Sequence, residues 1–264
     1  MTKLVHLHRH GEFSLLDGVG TAEHYARRAA ELGQSALALT DHGSLAGALY
    51  HVNACEEYGI KPWKPRREPL HELISTILSH RTTQANEAKA FDRLWQKYGS
   101  WEAIRTAPVE GIVEAIAPAN WPEVKAPRIK AVLDQIVAER GSPTIDFLDD
   151  LPAEQGLAWL EALPGVGPKT AALVLLFCFH KPVLPVDTHV HRVSQRLGLI
   201  GPRATPDQAH ALLLDLLPRD ADLLWNFHLN MLRHGQRICI WGTPRCEKCV
   251  LRQHCDYARE HGRA

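Results

Sequence analysis

A lysine and an aspartate eighteen residues apart are the side chains of this sequence that point most directly to chemistry. Lys169 follows the run Leu-Pro-Gly-Val-Gly-Pro, and Asp187 lies in Val-Asp-Thr-His. Gly165 and Gly167 permit a tight turn and the close approach of another backbone, and Pro168 suits the first position of a helix. The pattern predicts a helix–hairpin–helix whose N–H groups bind phosphate.

Lys169 would lie in the first turn of the second helix of this motif. The positive end of the helix dipole favours the neutral amine there, and a neutral amine is a nucleophile. Asp187 would supply a carboxylate. Two plainer interpretations stay open: Lys169 alone could simply bind phosphate, and Asp187 could simply cap a helix that begins near Val190.

Four of the six cysteines are clustered near the end of the chain. They are Cys239, Cys246, Cys249 and Cys255. Four thiolates within seventeen residues can surround one metal centre, and this clustering argues for metal rather than disulfides. There is one Cys-x2-Cys pair where zinc sites usually have two, so the spacing alone leaves zinc open. Cys55 and Cys178 are predicted to be buried, unreactive thiols.

The composition is that of an ordinary globular protein without a charge bias. Among 264 residues, 45% are hydrophobic and 23% charged, and 30 basic residues balance 30 acidic ones. A nucleic-acid-binding surface must therefore come from local clustering, such as Arg245 and Lys248 inside the cysteine loop. No apolar run approaches the ~20 residues of a membrane span, and the N-terminus lacks the apolar core of a signal peptide. We expect a cytoplasmic protein.

Helices must position these residues. Leu70, Leu73, Ile74, Ile77 and Leu78 follow the spacing of an amphipathic helix. Further helices are predicted at 86–98, 101–106, 109–116, 126–140, 157–163, 170–179 and 223–232. Residues 1–60 differ, with a predicted strand at 4–10, helix at 21–32, strand at 35–40 and helix at 44–58. Three prolines and four basic residues predict a linker at 61–69.

The motif LPGVGPKTA, followed by VDTHVHRV, resembles the endonuclease III family of DNA glycosylases, and so does the full cysteine spacing. The resemblance implies a mainly α fold, with a six-helix barrel at 70–185 that contains the hairpin and an iron–sulfur subdomain at 186–264. A helix at 46–58 could belong to that subdomain. It also implies a structural [4Fe–4S] cluster on the four cysteines. Gly165, Val166 and Gly167 would bind the DNA backbone.

The resemblance further implies a reaction. Lys169 would attack C1′ of an extruded nucleotide and form a Schiff base, and Asp187 would stabilise the positive charge that develops on the sugar. Arg81 takes the place where the family usually has a glutamine that fills the gap left by the extruded base; contact with phosphate alone is the alternative. Trp121 lies where the family has an apolar wedge, and packing against its own loop is the alternative.

The first residues resemble the beginning of the PHP domain of bacterial DNA polymerase III alpha subunits. The matching stretches are HLHRHGEFSLLDG and ALALTDHGSLAGAL, in which His8, His10 and His42 would be metal ligands. The resemblance stops near Pro62, well short of a full PHP barrel. We therefore interpret residues 1–60 as an incomplete, non-catalytic β-α-β-α segment.

Together these patterns predict a monomeric DNA glycosylase and AP lyase that removes oxidised pyrimidines from duplex DNA. Three alternatives are kept. A monofunctional mismatch glycosylase would not need Lys169. A PHP-type metal phosphoesterase would use the three N-terminal histidines. A damage-binding protein would recognise the lesion without turnover.

Overall fold

The structure is a computed structural model that describes residues 21–34, 36–37, 48–59, 61–62 and 68–261. The chain divides into two units, Met1–Pro65 and Arg66–Ala264, which are described separately. His8, His10 and His42, together with the predicted strand at 4–10, lie outside the described residues.

The described residues of the first unit form two short helices and two very short strands. They are α1 (Ala22–Glu31), β1 (Ala36–Leu37), α2 (Ala48–Glu57) and β2 (Lys61–Pro62). The Thr21 hydroxyl caps α1 by accepting a hydrogen bond from the His24 N–H at 3.2 Å. Cys55 is buried in a small apolar cluster with Ala26, as predicted for this thiol.

The first two residues of the predicted linker are a strand rather than a connection. Ala36 pairs with Lys61 and Leu37 with Pro62, so that β2 lies parallel to β1. The helix between the two short strands brings β2 back beside β1 in the parallel direction. This long-range pairing overrides the local preference of proline for a loop. The other end of the linker differs too, since Glu68 caps a helix that begins at Pro69.

The second unit is helical throughout its described residues, and the prediction of a mainly α fold is confirmed. Its helices are α3 (Pro69–Ser79), α4 (Gln84–Tyr98), α5 (Trp101–Thr106), α6 (Val109–Ala115), α7 (Pro122–Arg140), α8 (Ala153–Glu161), α9 (Pro168–Phe179), α10 (Thr188–Leu197), α11 (Pro206–Leu216), α12 (Ala221–Arg237) and α13 (Asp256–Glu260). Short 3₁₀ turns lie at Asp146–Asp149, Cys246–Lys248 and Arg252–His254. The further division of this unit at residue 185 stays a prediction.

Helix α9 is the buried centre of this unit. Its apolar run, which includes Val174, Leu175 and Cys178, is buried on nearly every side, because α3 and α8 both pack against it. Gly156 on α8 allows the close approach, since a Cβ at that position would lie 3.1 Å from a methyl carbon of Leu175. The apolar stripe of α3 covers another side of α9. The first turn of α9 is therefore fixed by its surroundings.

Helix α7 begins four residues earlier than predicted. Pro122 occupies its first turn, where the missing N–H is not needed, and Trp121 is the N-cap residue with a left-handed backbone at φ 54°. Pro127 lies inside the helix and removes one backbone hydrogen bond without ending it. The loop that carries Trp121 is thus about one helical turn shorter than the predicted helix at 126–140 implies.

Helix α11 had not been predicted. Its three consecutive leucines hide the helical period, but Thr205 and Gln208 form a capping box that marks its start. Helix α12 is longer at both ends than predicted and begins at an Asp220 cap. Among the described helices, none is both long and apolar enough to cross a membrane.

Candidate active site

The hairpin between α8 and α9 has the geometry that its glycines predict. Gly165 has φ +73°, and the Val166 N–H closes the turn on the Leu163 carbonyl at 3.1 Å. The Val166 side chain is buried, so it anchors the hairpin rather than facing outward. Gly167 precedes α9 without any side-chain cap. The first N–H groups of α9 are therefore open to an anion such as phosphate.

Arg128 on α7 lies directly against this turn. A Cβ at Gly165 would collide with the side chain of Arg128. The left-handed backbone favours glycine here, and the missing Cβ leaves room for the flexible end of the arginine. This contact brings a cation of α7 to the same surface as the hairpin.

Lys169 and Asp187 come together although eighteen residues separate them in sequence. Both are half-buried. Burial lowers the pKa of the Lys169 ammonium, and the nearby charges of Asp187 and Glu72 oppose that shift. Loss of hydration favours the neutral amine, while the carboxylates keep a proton acceptor within its electrostatic reach. The predicted nucleophile therefore lies in an environment that can deprotonate it.

Asp187 is also the N-cap of α10, as its plainer interpretation predicts. Its Oδ1 accepts hydrogen bonds from the N–H groups of His189 at 2.9 Å and Val190 at 2.7 Å. Both bonds use the same carboxylate oxygen. Capping fixes the orientation of the side chain, so the structural and the predicted catalytic use of Asp187 are compatible.

Two histidines hold the segment that leads to Asp187. His210 contacts the Leu184 carbonyl and His228 the Pro185 carbonyl, each through Nδ1 at 2.9 Å. Burial lowers the pKa of both imidazoles, so each donates as a neutral ring. Sequence reasoning missed these positioning contacts because they join residues that are 26 and 43 positions apart.

Arg81 and Trp121, predicted separately, lie side by side. The Arg81 guanidinium carbon is 5.6 Å from the centre of the Trp121 ring. Both residues have left-handed backbones, with φ 50° and 54°. Side chains other than glycine rarely adopt this conformation, and such strain is often found at functional sites. Trp121 is 47% exposed, which argues against burial within its own loop.

The Arg81–Trp121 pair borders an open cavity of about 390 Å³. Its lining residues are His80, Arg81, Trp121, Val124, Lys125 and Arg128. The Nε2 atom of His80 is 3.4 Å from the Thr170 hydroxyl, one residue after Lys169. The cavity thus extends from the exposed Arg81–Trp121 pair to the neighbourhood of the candidate nucleophile.

Lys125 joins the two loops on which this pair lies. Its ammonium donates to the carbonyls of Leu78 at 2.7 Å and His80 at 2.9 Å and to the Thr82 hydroxyl at 2.8 Å. The Asn120 N–H also donates to that hydroxyl at 3.1 Å. Sequence analysis missed Lys125, although its four-residue spacing from Ile129 places it on the buried face of α7.

The four clustered thiols line one cavity. Arg196, Arg245 and Arg252 also line it, and an Arg196 N–H is 3.4 Å from the Cys239 sulfur. In the described part of the chain, no group of three or more histidine, cysteine or acidic side chains meets the spacing for one metal ion. A donor set of four thiols beside three cations nevertheless fits a bound anionic thiolate cluster, whose charge the guanidinium groups would offset.

Arg245 and Lys248 are exposed, as a contact with DNA would require. Arg245 is also used internally, since its guanidinium donates to the Arg237 carbonyl at 3.3 Å, at the end of α12. Their contact with phosphate stays a prediction.

Comparison with known proteins agrees with this geometry. The model of the HhH-GPD superfamily of base excision DNA repair proteins matches residues 74–219, and the PHP domain model matches residues 6–64. Endonuclease III of Thermotoga maritima is 38% identical over 197 residues, which cover 74% of this chain and 86% of that protein. Endonuclease III of Sulfolobus acidocaldarius is 32% identical over 187 residues, or 70% of this chain and 80% of that protein.

A solved structure of a trapped covalent intermediate between endonuclease III and DNA has the same fold. Its TM-score is 0.65 at 28% identity, with 75% of this chain and 88% of that chain covered. The chain belongs to the endonuclease III family within the HhH-GPD superfamily, and it is a base excision repair DNA glycosylase with AP lyase activity. The predicted family and enzyme class are confirmed.

The hairpin glycines allow a matched test. Gly165→Ala should lower the free energy of unfolding by about 1–2 kcal/mol, because alanine is strained at φ +73° and its Cβ displaces Arg128. Gly167→Ala should change it by less than about 0.5 kcal/mol, because no atom lies within 4 Å of its added Cβ. Urea unfolding of both variants measures the difference. Equal losses would show that the turn does not have this conformation in solution.

Proposed function

We propose that this enzyme removes oxidised pyrimidines from duplex DNA as a monomer, with Lys169 as nucleophile and Asp187 as its carboxylate partner. One observation carries the assignment: a half-buried lysine at the uncapped start of α9, with a lowered pKa, lies within the electrostatic reach of a helix-capping aspartate. The family relationship supports the same roles. A DNA substrate also agrees with the expected cytoplasmic location.

The reaction follows from the chemistry of a neutral amine. Lys169 attacks C1′, and the base leaves with the electrons of the glycosidic bond and takes a proton from the solvent. Asp187 accepts a proton from the attacking nitrogen, and that proton passes to the ring oxygen as the sugar opens to a protonated imine. The imine acidifies the C2′ proton. Its removal expels the 3′ phosphate, and the strand is cut by β-elimination.

The nucleotide must leave the duplex before Lys169 can reach it. The hairpin N–H groups would hold the backbone, with Arg128 beside them. Trp121 would enter the stack as a wedge, and Arg81 would occupy the space of the missing base. The contact between Arg81 and Trp121 supports a joint action, because the two side chains project from neighbouring loops.

The four cysteines would hold a [4Fe–4S] cluster, as the family relationship implies. Bound there, the cluster would supply structural cross-links to a segment that has only two short 3₁₀ turns of its own between α12 and α13. Arg245 and Lys248 would then be held where they can contact phosphate.

Borohydride trapping tests the nucleophile. Wild-type enzyme on a duplex with one abasic site should give a covalent adduct, because borohydride reduces the imine to a stable amine. Lys169→Ala should give none. Lys181→Ala is the matched control and should give wild-type yield, since Lys181 follows the other end of α9 and donates to the Asp149 carbonyl at 2.6 Å. An adduct that persists in Lys169→Ala would place the nucleophile elsewhere, and its absence from folded wild type would favour a monofunctional or binding protein.

Asparagine at position 187 separates capping from catalysis. Asparagine caps helices as well as aspartate does, so Asp187→Asn should cost less than about 1 kcal/mol of stability. Base excision in a single turnover should fall at least ~100-fold, because the amide accepts no proton and carries no charge. If a stable Asp187→Asn enzyme retained its activity, Asp187 would act only as the N-cap of α10 and not in catalysis.

Metal analysis tests the cluster. Protein prepared without oxygen should contain iron and acid-labile sulfide in equal amounts, and Cys246→Ser should lose most of both. Cys178→Ala should retain them, because Cys178 is buried in α9 away from the thiol-lined cavity. If the wild-type protein contained zinc and no sulfide, the four cysteines would form a mononuclear zinc site and the cluster assignment would be wrong.

A further inference from the structure

His80 ends α3 at the point where three parts of the site meet. It is the C-cap residue of that helix and immediately precedes Arg81. Its Nε2 is 3.4 Å from the Thr170 hydroxyl in the first turn of α9. Its ring also lines the cavity beside Trp121 and Arg128. None of the roles assigned above uses this imidazole.

The ring is neutral at physiological pH. Burial lowers its pKa to about 4, and the charges of Lys169, Lys125 and Arg128 act in the same direction. A neutral imidazole has one N–H donor and one acceptor. Thr170 engages Nε2, and Nδ1 has no hydrogen-bond partner among the described residues. The side chain therefore retains hydrogen-bonding capacity inside a cavity that is open to a ligand.

The lining of the cavity favours one chemical class of base. Besides the Arg81–Trp121 pair, whose proposed place is in the duplex, the lining offers the Arg128 guanidinium as a donor and Val124, 52% exposed, as apolar surface. No carboxylate is found among the described residues that line it. Such a surface suits a flat ring with carbonyl oxygens at its edge and disfavours a cationic base, which would need an anionic or purely aromatic partner.

We propose that His80 is a specificity-determining residue that contacts the extruded base through its imidazole and selects carbonyl-rich pyrimidine lesions. The proposal rests on the function proposed above and deepens it. Its measurable consequence is a separation of two steps: base removal requires the base, whereas strand cleavage at an abasic site proceeds without one. Substitution of a residue that contacts the base should therefore slow base removal far more than strand cleavage at an abasic site.

The experiment compares two variants of similar size. His80→Leu removes all hydrogen bonding, and His80→Asn keeps a donor and an acceptor. Each is assayed in single turnover on a duplex with thymine glycol and on the same duplex with a preformed abasic site, with thermal unfolding measured alongside. His71→Gln is the control, because His71 lies exposed on the same helix and stacks on Phe91 at 3.7 Å, away from α9.

His80→Leu should slow the excision of thymine glycol about tenfold or more, the effect of one lost hydrogen bond, and should slow abasic-site cleavage by less than about threefold. His80→Asn should recover part of the excision rate, and His71→Gln should keep the wild-type ratio of the two rates. Equal loss of both rates in His80→Leu would instead make His80 a support for Lys169, and no loss in either would remove it from the site. Wild type that fails to cleave the abasic site would contradict the proposed function itself.

Discussion

The ammonium of Lys125 is buried, and its three N–H donors are matched by three oxygen acceptors. A buried charge is costly unless it is fully hydrogen-bonded, and the last carbonyls of a helix lack partners of their own. Lys125 meets both requirements, because its side chain from α7 donates hydrogen bonds to the last carbonyls of α3. The end of α3 carries Arg81, and the start of α7 carries Trp121. The relative position of these two residues therefore depends on this lysine together with Asn120, whose side-chain amide donates to the Arg81 carbonyl at 2.5 Å.

A second connection joins the cysteine loop to the helix that Asp187 caps. The buried guanidinium of Arg192, one turn into α10, donates to the carbonyls of Cys239 at 3.0 Å and Gly235 at 2.7 Å. Gly235 permits this approach, since a Cβ there would lie 2.8 Å from the Cβ of His189. The end of α12 and the beginning of the thiol loop are thus packed on α10. The beginning of the cysteine loop and the candidate carboxylate Asp187 are therefore both held by α10.

Sequence alone was sufficient for the parts of the site that local chemistry determines. Gly165, Gly167 and Pro168 specify a turn and a helix start whatever surrounds them, and Asp187 specifies a cap. The amphipathic spacing of α3 is equally local. The pairing of Arg81 with Trp121 and the inward direction of Lys125 depend instead on contacts between residues about 40 positions apart. The early start of α7 has a local signal in Pro122, whereas the left-handed backbone of its N-cap tryptophan is one that no local preference predicts.

The electrostatics of the site must meet two opposite requirements. Binding of a DNA backbone needs cations, and the chain has no net positive charge from which to draw them. Nucleophilic attack needs an uncharged amine. The fold separates the two in depth: the Arg81 guanidinium is exposed at the surface, whereas Lys169 and His80 lie deeper, where burial favours their neutral forms. Because the charge of Arg128 beside the hairpin also favours the neutral form of His80, a cation that would attract DNA also keeps this imidazole able to recognise a neutral base.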